Sequence, residues 1–317
     1  MTGSLLFVGE CMMEIRNAEK EGIKHSFAGD SYNSAVYAKR WFKDHRVAFY
    51  SSLGDDPISE MMLASWQSEN IDCSLVCKSD HRLPGIYAIS IDELGERKFS
   101  YWRKDSAATE MMKLLDQNGR SAALGHFDCV YFSGISLAIL SDDCKERLLT
   151  LVAKLRSGGT AVAFDPNYRE SLWADESHAR SWIKRAYRCC DIALSGLEEH
   201  EQLFAHHSVD DVNRFLNALG VKEIVIKGGG SGVYAFAEED LIYHKPFCAA
   251  PRQVDTTAAG DSFAGTYLAA RVAGWEVSDA VDSATEVARE VVQHCGAIVD
   301  EKLTFWERTR DIFRLGA

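Results

Sequence analysis

Apolar residues in this chain fall into short unbroken runs, and between the runs they recur every three or four positions. Leu5-Leu6-Phe7-Val8, Val47-Ala48-Phe49-Tyr50, Cys129-Val130-Tyr131-Phe132, Ala161-Val162-Ala163-Phe164, Ile192-Ala193-Leu194 and Ile224-Val225-Ile226 are too short for helices. Being apolar at successive positions, they suit strands buried on both faces. The intervening stretches read as helices. One runs from Asp55-Asp56-Pro57 to about residue 69, and one over 143–156 sets Leu148, Leu149, Val152 and Leu155 on one side. Others cover 264–273 and 278–295, the last ended by Gly296-Ala297. Strand alternating with helix predicts a doubly wound, mostly parallel α/β sheet, with ligands at the carboxyl ends of its strands.

One region breaks that rhythm. Residues 86–91 and 98–103 flank the polar stretch Asp92-Glu93-Leu94-Gly95-Glu96-Arg97, a hairpin pattern. With the extended stretches in 12–27 it predicts a small antiparallel β lid built from segments about 12–27 and 84–104. No repeat, low-complexity tract or long linker interrupts the chain, so residues 1–317 read as a single domain carrying this lid.

Composition narrows the partners. A net charge of -12 without a basic run argues against nucleic acid or an anionic membrane surface. Any phosphate must therefore be met locally. The longest uncharged run, 129–141, is too short to span a bilayer. The nine cysteines include no Cys-x-x-Cys pair, so no zinc ribbon or other resident metal site is expected. Free thiols in a reducing cytoplasm are the reading that remains.

The chemistry concentrates in Asp255-Thr256-Thr257-Ala258-Ala259-Gly260-Asp261-Ser262-Phe263, at the start of the helix over 264–273. Amides of Ala258, Ala259, Gly260 and Asp261 lie where a helix N-terminus leaves donors free for an anion. A carboxylate at such a place repels phosphate, but it has a use if Asp261 takes a proton from a hydroxyl that then attacks a phosphoryl group. The same residues would also serve as an ordinary helix cap with a first-turn acid. Near the N-terminus, Ala28-Gly29-Asp30-Ser31-Tyr32-Asn33 opens another helix, with Asp30 and Asn33 on one side of its first turn. They suit either a polyol or a cap.

The stretch 255–263 resembles the C-terminal signature of the ribokinase/PfkB carbohydrate kinases, and Gly29-Asp30-x-x-Asn33 resembles their N-terminal sugar-binding signature. The resemblance implies a ribokinase-like fold, an anion hole from 258–261, Asp261 as catalytic base, and Gly29, Asp30 and Asn33 on the sugar. Ala258 stands where the commonest form has Gly, and an ordinary backbone conformation is expected for it. Gly85-Ile86-Tyr87, Glu96-Arg97-Lys98-Phe99-Ser100-Tyr101-Trp102-Arg103 and Asp165-Pro166-Asn167-Tyr168-Arg169 resemble the branch acting on the sugar acid 2-keto-3-deoxygluconate. There Tyr87, Tyr101 and Arg103 would contact substrate, with Arg103 on its carboxylate. A second guanidinium, Arg169, suits the same group.

Lys227-Gly228-Gly229-Gly230-Ser231-Gly232 resembles the family's Lys-x-Gly-x-x-Gly loop along ATP, implicating Lys227, Gly229 and Gly232. A strand follows it rather than a helix, which disfavours a dinucleotide-binding fold, and no Gly-Lys-Ser/Thr occurs. Asn167 is placed on the nucleotide side. Glu199 carries over from a motif whose Asn is Gly196 here, and would bear on magnesium and phosphate. The expectation is transfer of the ATP γ-phosphoryl group, with Mg²⁺, to the 6-hydroxyl of a sugar acid, and a homodimer through the lid aromatics. A fructose or galactonate-epimer kinase, or a non-catalytic sugar-binding regulator, is the alternative.

Overall fold

The computed structural model describes residues 2–18, 22–91, 97–117, 124 and 127–301. Eight strands form the main sheet, in the order Asp240–Lys245, Val233–Ala237, Glu223–Lys227, Ile192–Gly196, Ala161–Asp165, Cys129–Ser133, Ser4–Val8, Arg46–Tyr50. The last six are parallel, and the first two add as an antiparallel edge hairpin. Alternate side chains of each run enter different cores, which is why the runs are apolar throughout. Leu6, Val8, Val130, Phe132, Val162 and Phe164 join the core beneath helices Asp142–Ser157, Glu176–Cys189 and Val209–Ala218. Leu5, Phe7, Cys129, Tyr131 and Ala163 face the opposite core, beneath helices Asp30–Trp41, Pro57–Ser68, Ala259–Val272 and Val277–Val291.

The run that begins at Val47 is followed by a break in the sheet. Arg46–Tyr50 stays in the main sheet, while Ser52–Leu53 leaves it to pair with Cys77–Lys78. The helix expected over 278–295 stops at Val291. The lid is a separate four-stranded sheet ordered Gly22–Ala28, Met12–Ala18, Ile86–Ile91, Arg97–Trp102. Both of its hairpins are antiparallel, and the two central strands meet in a parallel pairing. Residues 19–21 and 92–96, within the expected lid segments, lie outside the described residues. No helix among the described residues is long and apolar enough to cross a membrane.

Candidate active site

Two helix starts meet at the carboxyl edge of the main sheet. Gly265 makes this possible, because a Cβ there would collide with the Ser34 carbonyl, so the helices Asp30–Trp41 and Ala259–Val272 touch backbone to backbone. Gly29 likewise sits against the Glu10 carbonyl with no room for a Cβ. Its amide donates to Asn33 Oδ1 at 3.3 Å, which turns Asn33 Nδ2 outward to donate to Asp261 Oδ2 at 2.8 Å. Residues 228 apart in the chain are thus joined by one amide group. Asn167 Nδ2 donates to Asp30 Oδ2 at 3.0 Å, so its side chain lies with the first helix; the nucleotide-side role expected of it stays a proposal.

Ala258 departs from the sequence expectation. It adopts φ 63°, the left-handed region, rather than an ordinary conformation. A Cβ clashes with its own backbone there, at a cost of roughly 1–2 kcal/mol, which glycine avoids. The Ala259 amide turns back to the Thr256 carbonyl at 3.2 Å. Asp255, flanking the stretch, accepts from the Thr257 amide at 2.9 Å and the Gly296 amide at 2.8 Å, fixing the loop rather than facing the cleft.

Four carboxylates crowd this edge. Burial, then the charges of Asp30 and Asp165, push Asp261 up to about 7, against the opposing Asn33 hydrogen bond and Arg169. Glu199 is pushed up by burial and Asp165, opposed by Lys227, Arg169 and its contact with the Gly196 amide at 3.2 Å. Lys227 Nζ donates to Asp165 Oδ2 at 2.7 Å and lies 3.7 Å from where a Cβ on Gly260 would stand. Burial opposes the Lys227 charge, but Asp165, Glu199 and Asp261 outweigh it and hold the ammonium above its ordinary range. Lys227 therefore stands beside the helix start that carries Asp261. Gly229 and Gly232, both at positive φ, shape the turn that follows it.

The lid presents a different arrangement. Arg103 is 11% exposed and ion-pairs with Glu10, which is 1% exposed and also accepts from Ser106. Among the described residues Arg103 Nε is buried with no hydrogen-bond partner. Tyr87 and Tyr101 are direct cross-strand partners with rings 5.7 Å apart. The Tyr87 hydroxyl donates to Glu14, whereas Tyr101 is 53% exposed and lies 5.9 Å from the Arg103 guanidinium. Arg169 is exposed on the loop after Ala161–Asp165, and its charge is felt by both Asp261 and Glu199.

Asp30, Asn33, Asn167, Gly260, Asp261, Lys227, Glu199 and Arg169 thus come together, while Tyr87, Tyr101 and Arg103 form a second group on the lid. Sequence reasoning passed over Asp165, which pairs with Lys227. The signal for Asp165 was its place as the last residue of a buried strand, before Pro166. Among the described residues no group of three or more His, Cys, Asp or Glu is set to enclose a metal ion.

The profile of the pfkB family carbohydrate kinases matches residues 2–303. The chain is 37% identical over 302 residues to a 2-dehydro-3-deoxygluconokinase of Dickeya dadantii (strain 3937), covering 94% of this chain and 97% of that protein. It is 38% identical over 304 residues to a 2-dehydro-3-deoxygluconokinase of Escherichia coli (strain K12), covering 94% and 98%. Its fold is similar to that of a putative ribokinase II of E. coli solved in complex with ATP and Mg²⁺, with TM-score 0.81 and 20% identity over 100% of both chains.

Proposed function

The chain belongs to the pfkB family of carbohydrate kinases, and from that premise we propose that it transfers the ATP γ-phosphoryl group to the 6-hydroxyl of 2-keto-3-deoxygluconate, the 2-dehydro-3-deoxygluconate of its relatives' names. The observation that carries the chemistry is Asp261 in the first turn of the helix Ala259–Val272, held by Asn33 at 2.8 Å and pushed up toward neutrality. Asn33 holds one carboxylate oxygen. The other takes the proton as O6 attacks the γ-phosphorus, and the electron pair of the broken bond between the γ-phosphorus and the β,γ-bridging oxygen leaves with ADP.

Amides of Ala258, Gly260 and Asp261, that of Ala259 being turned to Thr256, stabilise charge on the phosphoryl oxygens together with the Lys227 ammonium. Gly29, Asp30 and Asn33 hold the polyol. At the far end Arg103 and Arg169 hold the carboxylate, with Tyr87 and Tyr101 beside it. The unpartnered Arg103 Nε supports this, since a carboxylate would satisfy a donor that the protein leaves unmet. Gly229 and Gly232 border the nucleotide. The neighbouring acids Asp165 and Glu199, which share the one Lys227 ammonium, fit a magnesium ion that keeps part of its water shell; such an ion would supply charge neutralisation at the phosphates.

A dimer through the lid is proposed from its exposed Phe99, Tyr101 and Trp102, and light scattering that finds a monomer at micromolar concentration removes it. A cytoplasmic location is proposed because all nine cysteines are free thiols. The substrate is tested by ADP release from Mg-ATP with 2-keto-3-deoxygluconate, its galactonate epimer, fructose and ribose at matched low concentrations. Turnover confined to sugar acids is expected. Turnover with fructose alone would leave Asp261 its role and remove the carboxylate from the account.

A further inference from the structure

Behind the Arg169 loop, away from the reacting groups, lies a buried lysine in an aromatic cage. Lys145, 4% exposed, sits near the start of helix Asp142–Ser157 and donates to the Leu140 carbonyl at 2.6 Å and to Asp142 Oδ1 at 3.0 Å. Its ammonium lies 5.8 Å from the Trp173 ring centroid and 5.7 Å from that of Trp182. Both indoles are buried. Trp182 Nε1 donates to His178 Nε2 at 3.0 Å, and the His178 ring meets the Trp173 ring edge-on at 5.8 Å. A cation facing two buried indoles is attracted to their π-faces, and the more strongly for being desolvated.

Trp173 is the far end of the loop that carries Asn167 and Arg169. Between Arg169 and Trp173 runs a single tight turn: the Leu172 amide bonds the Arg169 carbonyl at 3.0 Å, and the Trp173 amide bonds the Glu170 carbonyl at 3.1 Å. The near end is fixed too, because Gly134 has no Cβ and so lets the Pro166 carbonyl press against it. The span from Pro166 to Trp173 is therefore clamped at both ends. Its middle places Asn167 against Asp30 and leaves the Arg169 side chain exposed.

Resting on the sugar-acid reading of the cleft, we infer that Lys145, acting through Trp173, is a positioning residue for Arg169 and so sets the affinity for the substrate's carboxylate without touching substrate. Lys145→Met keeps the length of the side chain and removes the cation. It is expected to raise KM for the sugar acid about tenfold, to leave KM for ATP and kcat within about twofold, and to be restored in large part by Lys145→Arg, which also attracts indole faces.

The double variant with Arg169→Ala separates positioning from general stability. If Lys145 works through Arg169, Lys145→Met adds nothing once the guanidinium is gone. Multiplying losses, or an unchanged KM in Lys145→Met, would overturn the inference. Hydrogen exchange provides a reading independent of substrate and of whether Lys145→Met is fully stable. In Lys145→Met and Trp173→Phe the amides of residues 172 and 173 should exchange faster than in the unaltered chain, while those of the neighbouring helix Glu176–Cys189 keep their rates. Uniform acceleration, or none, overturns the clamp; selective acceleration in an enzyme that refuses sugar acids would leave the clamp and remove only the carboxylate.

Discussion

At the helix starts carboxylates are held by neutral amides and a lysine, whereas in the lid an arginine is held by a carboxylate. Asn33 on Asp261, Asn167 on Asp30 and Lys227 on Asp165 restrain acids that repel one another. Each restraint comes from a rigid element of the main domain or its adjoining loop, so Asp261, the proposed proton acceptor, is in place without a ligand. Arg103 instead spends part of its charge on Glu10, a residue of the main domain reaching up to the lid. The contrast separates two tasks. On the proposed function the phosphoryl end is preorganised, and the carboxylate end must share an existing ion pair with the incoming substrate.

The largest effect expected from this difference is at Asp261. Asp261→Asn keeps the size of the side chain and removes the proton acceptor, so kcat should fall by roughly 10²–10⁴, with sugar binding measured by calorimetry nearly unchanged. Next comes Arg103→Ala, which both weakens the sugar acid and strands the buried Glu10 charge. Breaking a buried pair by removing one partner costs about 3–5 kcal/mol. Urea denaturation should show that loss, and adding Glu10→Gln should recover much of it while KM stays high.

A smaller effect is on pH. Only the ionised Asp261 accepts a proton, so kcat/KM should rise through about pH 7 and level off above it. The Asn33 hydrogen bond favours the ionised form, so Asn33→Ala should move the rising limb to higher pH. A limb that stays fixed would detach Asn33 from the base. The same shift has a sign for stability. A carboxyl raised above its unfolded value holds its proton longer when folded, so the folded state loses stability as pH rises from about 4. Asp261→Asn should therefore raise Tm at pH 8 and leave it nearly unchanged at pH 4. The smallest effect expected is from Ala258→Gly, which relieves a left-handed alanine and should raise stability by at most about 1 kcal/mol in thermal unfolding.

How much of this was legible in the chain follows from distance. The doubly wound sheet was readable because apolar runs entering two cores leave a local pattern, Leu5 and Phe7 to one side and Leu6 and Val8 to the other. Asp30, Asn33 and Asp261 were readable because a helix start writes its chemistry within a few residues. The Asp165–Lys227 pair was not, since strands 62 residues apart become near neighbours only through sheet order. Nor was the Arg103–Glu10 pair, 93 residues apart, or the cage around Lys145, whose indoles lie on a loop and a helix that follow it in the chain. The conformation of Ala258 was misjudged because alanine's side chain argues for a regular backbone, and the tertiary fit of the 255–259 turn prevails.

The most direct test of the division between a preorganised acceptor and a carboxylate-recognising end is a side-by-side measurement of kcat and KM for 2-keto-3-deoxygluconate in Asp261→Asn and Arg169→Ala. The account predicts that the first loses turnover at little cost in KM, and the second loses affinity at little cost in kcat. Comparable losses of binding in both, with turnover per bound substrate unchanged, would contradict it.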